Sequence, residues 1–181
     1  MLFRSGVALR ARAGTGSLRV SILVRLALGA AIAVSLLAAF APEAPPARLG
    51  CFAAIASGAV AGLVLYVAVS RRRPFIPPLL PSALAACAVL VVAAASEEIV
   101  WRRVVLGELL RAGPVAAVAG STVGFALVHR ARQGLHLGTG AAFAGLYLAT
   151  GVLAASIAAH WAYNVLLLTL AERRSREESV P

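Results

Sequence analysis

The sequence predicts an all-α protein, a polytopic membrane helix bundle of about six transmembrane helices. Three observations predict it. Of 181 residues 61% are hydrophobic, and mean hydropathy is +0.89, too apolar for a soluble domain of this size. The apolar residues gather into runs of bilayer-crossing length. Clusters of Pro, Gly and Arg separate the runs, as expected where helices end at membrane interfaces.

Residues 1–19 form a basic leader with Arg4, Arg10, Arg12 and Arg19 among small residues. Val20 to Ala41 is long enough to cross a bilayer and reads as an uncleaved first span, although Ala38 to Ala41 would suit a signal-peptide cleavage site. Pro42 to Gly50 is a Pro-rich turn, and Cys51 to Ser70 is a second span. Arg71-Arg72-Arg73 stops it and puts that loop on the cytoplasmic side. Pro74 to Pro81 holds four prolines, cannot continue a helix, and reads as an interfacial linker closing the N-terminal portion, 20–81.

The core, 82–170, starts with a helix from Ser82 to about Arg111, ~45 Å long at 1.5 Å per residue. Gly113-Pro114 ends it, and Pro114 opens a helix that carries Phe125 and His129 and stops between Arg130 and Gly134. Gly138 to Thr150 is a short fifth span and Val152 to Leu170 a sixth. Residues 171–181 read as a charged cytoplasmic tail. No internal repeat is visible.

Composition narrows the chemistry. The net charge of +10 comes from 17 Arg and 7 Glu, with neither Lys nor Asp. Arg at span ends is the positive-inside pattern and not a nucleic-acid footprint, so no nucleic-acid partner is expected. Arg102, Arg103 and Arg111 fall towards the outer side, and pairing with Glu98 and Glu108 would excuse them. Without Asp an aspartyl protease is excluded, and H-E-x-x-H is absent. Ser57-Gly58 follows Ile55-Ala56, so a G-x-S-G serine-protease motif is missing too. Cys51 and Cys87 lack metal-type spacing and read as packing residues.

The most informative stretch is Ser96-Glu97-Glu98-Ile99-Val100-Trp101-Arg102-Arg103. Ionisable residues at bilayer depth are costly and mark function by default. Positions four apart share a helix face, so Glu98 pairs with Arg102 while Glu97 points elsewhere, beside Trp101. A structural ion-pair knot is the competing reading of this stretch alone. Depth separates the two. Glu97 lies 16 residues before Gly113 and His129 lies 16 after it, so antiparallel helices carry both ~24 Å below that turn. His160, nine residues beyond Gly151, reaches nearly the same level, with Asn164 one turn on. His136 does not share the spacing and is expected at the interface.

Glu97-Glu98-x-x-x-Arg102, Phe125-x-x-x-His129 and His160-x-x-x-Asn164 resemble, in order, the three motifs of the CPBP family. These are the CAAX-protease and bacteriocin-processing (Abi) intramembrane endopeptidases, related to the type II CAAX prenyl proteases. The resemblance covers about 82–170. Trp101 stands where Phe is common, and Arg103 replaces a frequent Gly. The resemblance implies that Glu97 and His129 activate a water that attacks a peptide carbonyl, that His160 and Asn164 donate to the oxyanion, and that Glu98 and Arg102 form a structural pair. It leaves the cofactor open between none and a divalent metal such as Zn. Glu97, His129 and His160 would be the ligands, although Asn suits an oxyanion hole better than zinc.

The implied function is an intramembrane endopeptidase of glutamic or metallo type. It would cut a membrane-anchored or lipid-modified protein or peptide near its C-terminus, in the bilayer of a cell membrane. The Arg- and Ala-rich composition suggests a GC-rich bacterium, where processing of C-terminal sorting tails, as in the myxosortase branch, fits better than prenyl-protein cleavage. Two alternatives are a non-catalytic immunity or scaffold protein and a small proton or ion transporter using the same Glu and His residues as a relay. The missing inverted repeat argues against the transporter.

Overall fold

The computed structural model describes residues 16–40, 42–74, 81–129 and 131–177. The described residues form six helices: α1 (Gly16–Ala39), α2 (Cys51–Ser70), α3 (81–112), α4 (Pro114–Val128), α5 (Gln133–Thr150) and α6 (Leu153–Glu177). Most of the predicted basic leader and of the Pro-rich linker lies outside them. Four helices, α1, α2, α3 and α6, are long and apolar enough to cross a membrane. The shorter α4, of 15 residues, and α5, of 18, complete the bundle. The chain is a multi-pass membrane protein with the helical architecture expected of it.

Helix ends follow from single residues. Arg71 closes α2 in the left-handed region at φ 54°, its N–H bonded to Val67 O. Gly113 (φ 101°) turns the chain between α3 and α4, and Pro114 starts α4 where its missing N–H has no cost. Gly151 at φ 70° ends α5.

Besides small shifts at other helix ends, such as α1 starting at Gly16 and not Val20, four features differ from the sequence reading. α4 stops at Val128, so His129 is its C-cap, at φ −98° and ψ 76°, and not a helical residue. α5 starts at Gln133, a turn before Gly138, because isolated glycines are tolerated inside a helix that packs well. α6 continues through much of the predicted tail to Glu177, where Arg173 and Glu177 pair at 2.8 Å in an i,i+4 arrangement that supports the last turns. Finally, α3 is not uniform. Its α-helical start, Pro81–Glu98, passes into a π-helix at Ile99–Leu106, then Gly107–Leu109 and a closing 3-10 turn, Leu110–Ala112.

Small residues let helices approach closely, the main source of helix association where lipid removes the hydrophobic drive. Gly58 and Gly62 of α2 lie on the backbone of Ala155 and Ala159 of α6, so close that an added Cβ would collide with their carbonyl oxygens. Tyr66, the next residue on that stripe, is buried with Phe143, Ala159 and Tyr163. Gly124 of α4 accepts the Trp101 indole, and Gly140 of α5 faces Phe125. A second buried group, Leu106, Ala117, Ala144 and Tyr147, joins α3, α4 and α5.

The turn before α2 is strapped across one end of the bundle. Arg103 Nη1 donates to Pro42 O at 2.8 Å and to Glu43 O at 2.9 Å. Gly107 lies under Pro42 and Glu43, Gly151 under Pro46, and Arg48 N–H bonds Thr150 O at 2.8 Å. Arg111 lies 3.4 Å from Glu108 and 3.9 Å from Glu43. The cations that break the positive-inside pattern are thus held by the strap as well as by Glu98 and Glu108. Cys51 and Cys87 are free thiols, and Cys87 O accepts the Trp161 indole N–H at 3.1 Å.

Candidate active site

α3, α4, α5 and α6 bring Glu97, Glu98, Phe125, His129, His136 and His160 to one depth, beside the start of the π-helix. A π-helix is rare and commonly marks a functional site, because its extra residue per turn re-aims the side chains around it. Here it begins one residue after the glutamate pair.

Glu98 is fully buried and saturated with partners. It lies 3.2 Å from Arg102 Nε, accepts the Ser156 hydroxyl at Oε2, and bonds His160 Nδ1 through Oε1 at 2.9 Å. Both members of the Glu98–Arg102 pair have side-chain exposures of 0%. The guanidinium carbon of Arg102 sits 5.2 Å above the Phe125 ring, a cation–π arrangement that partly replaces lost hydration. Glu98 therefore holds a ring as well as a cation.

Glu97 is the opposite case. Its side chain is 27% exposed, and its Oε2 has no hydrogen-bond donor among the described residues. That oxygen faces His129 Nε2 at 3.7 Å and His160 Nε2 at 3.9 Å. Both gaps are too long for a direct hydrogen bond and short enough for one water to touch both sides.

The two imidazoles are fixed from behind. His129 lies 2.7 Å from Phe125 O through Nδ1, so that nitrogen carries the proton and Nε2 offers a lone pair towards Glu97. His160 is tied to Glu98 through Nδ1 and stacks on Phe143 at 4.8 Å between centroids. Phe125 touches the whole group: its ring lies 4.5 Å from His129, 5.8 Å from His136, 6.1 Å from His160 and 6.4 Å from Trp101. Asn164 follows His160 by one turn, partly buried, and its amide makes no hydrogen bond to a described residue.

Sequence reasoning missed two members. His136, expected at the interface, stacks on His129 at 4.4 Å and 29°, because α5 starts at Gln133, with only four residues between it and the end of α4 at Val128. Ser156 lies four residues before His160, a same-face spacing that was readable. Trp101 meets Gly124 and the edge of Phe125.

The residues do not fit zinc as they stand. Tetrahedral ligands ~2.0 Å from a metal are ~3.3 Å from one another, less than the gaps around Glu97 Oε2. Among the described residues no three His, Cys, Asp or Glu side chains form a group able to hold a metal ion.

Residues 79–166, which contain every group of the site, match the family model described as type II CAAX prenyl endopeptidase Rce1-like. No curated protein and no solved structure is significantly similar to the chain.

Proposed function

We propose that the protein is an intramembrane endopeptidase, on the premise that residues 79–166 match the family model described as type II CAAX prenyl endopeptidase Rce1-like. It hydrolyses a peptide bond near the C-terminus of a membrane-anchored or lipid-modified protein or peptide, with water activated by Glu97 and His129.

One observation carries the reading: an unpartnered Glu97 oxygen faces the Nε2 atoms of two histidines whose other nitrogens are already engaged. A water in that gap gives a proton to Glu97 as its oxygen attacks the carbonyl carbon, and the His129 Nε2 lone pair accepts its second hydrogen bond. The tetrahedral oxyanion takes hydrogen bonds from His160 and the Asn164 amide. His160 donates from Nε2 when both its nitrogens are protonated, Nδ1–H remaining on Glu98. Glu97 then returns its proton to the leaving amine and the C–N bond breaks. Such preorganised donors often supply the largest share of catalysis. Glu98 and Arg102 act through their neighbours: Glu98 orients His160, and Arg102 packs on Phe125, whose carbonyl orients His129. The wide gaps around Glu97 Oε2 favour glutamate chemistry over a metal-bound water.

The test is C-terminal peptide profiling of membrane proteins from cells producing the wild-type protein or Glu97→Gln at equal levels. Wild type is expected to yield C-terminally shortened proteins that Glu97→Gln does not. Identical profiles would overturn the proposal and leave a scaffold role.

A further inference from the structure

The end of the bundle opposite the strap holds a cavity of about 210 Å³ lined by Tyr66, Arg72, Arg73, Leu170 and Arg173. Its origin lies in the glycine stripe of α2. Gly58 and Gly62 bring α2 and α6 to backbone contact, and one turn later the buried Tyr66 is too large to allow the same approach. Leu170 lines the cleft from α6. Arg71, in the left-handed region, then reverses the chain so that Arg72 and Arg73 line the cleft from α2, while Arg173 lines it from α6.

Charge distinguishes this cleft from the strap. At the strap, Arg103 and Arg111 are matched by carbonyls and carboxylates. In the cleft, neither Arg72 nor Arg73 has a carboxylate partner among the described residues, and Arg173 gives Nε to Glu177. The carbonyl end of α2 opposes an anion here, but the two guanidiniums without a carboxylate partner outweigh it. Guanidinium forks suit phosphate oxygens, and basic clefts between helices at a membrane surface suit anionic headgroups.

We propose that this cleft binds the phosphate of an anionic lipid headgroup. The site is separate from Glu97 and does not depend on the proteolytic reading.

Native mass spectrometry of the delipidated full-length protein in neutral detergent, titrated with phosphatidylglycerol or phosphatidylcholine, tests it. One saturable phosphatidylglycerol is expected. The triple variant R72Q/R73Q/R173Q should weaken it at least about tenfold, and so should Leu170→Trp, which fills the cleft without changing charge. R25Q/R48Q/R111Q removes the same charge at exposed positions that do not line the cleft and should leave it unchanged. Circular dichroism checks that each variant is folded. Competition by millimolar inorganic phosphate would assign the cleft to a soluble phosphate and overturn the lipid as its source. Equal loss in the control and cleft triple variants, unaffected binding in Leu170→Trp, or no saturable binding would overturn the site.

Discussion

Glu97 and Glu98 are neighbours with opposite surroundings, and that difference predicts opposite behaviour on substitution. Replacing Glu98 with Ala strands Arg102, itself fully buried, and breaking a buried pair typically costs about 3–5 kcal/mol. Glu98→Ala should therefore lower the unfolding midpoint in detergent sharply, while Glu97→Gln should leave it nearly unchanged and abolish cleavage. Equal midpoints would show that the buried network does not stabilise the fold. His129→Ala should likewise remain folded and lose turnover. The pairing of Glu98 with Arg102 was legible because it needs only helical spacing, and the meeting of Glu97 with His129 needed only a count from Gly113. The Ser156 and His160 bonds to Glu98 were not, because they depend on how α6 is rotated against α3. Nor was the stacking of His136 on His129, which depends on where α4 stops.

At the level of elements, two joints can be tested separately. Gly58 has the Ala155 carbonyl against it, so Gly58→Val should overpack the α2–α6 seam and cost about 1–3 kcal/mol, read as a lowered midpoint with helical content kept. The π-helix makes a sharper prediction. Deleting Val105 would take out the extra residue, restore ordinary pitch and undo the re-aiming of the side chains along Ile99–Leu106. Activity should fall by at least tenfold while circular dichroism stays helical; full activity would show that the π-turn is incidental. The order of helices could be read from hydropathy and from Pro and Gly, since each break obeys local chemistry. The π-helix could not, because no local signal in Ile99–Leu106 marks it and its partners are far away in sequence.

For the whole molecule, the strap joins the turn before α2 to the ends of α3 and α5. Arg103→Gln removes both bonds from its guanidinium to Pro42 and Glu43. Charge-assisted bonds are worth ~1.5–3 kcal/mol, so trypsin should cut after Arg48 roughly tenfold faster in that variant. An unchanged rate would mean that Gly107, Gly151 and the Arg48–Thr150 bond hold the turn without help. A further consequence concerns α4, whose 15 residues measure ~22 Å against a hydrocarbon layer of ~30 Å. A rod that falls short by a quarter of the thickness leaves its lower end, capped by His129, with no lipid-matched continuation. On the proposed endopeptidase reading, water then has only part of the barrier to travel to Glu97, and dryness elsewhere in the bundle is compatible with hydrolysis at this one point.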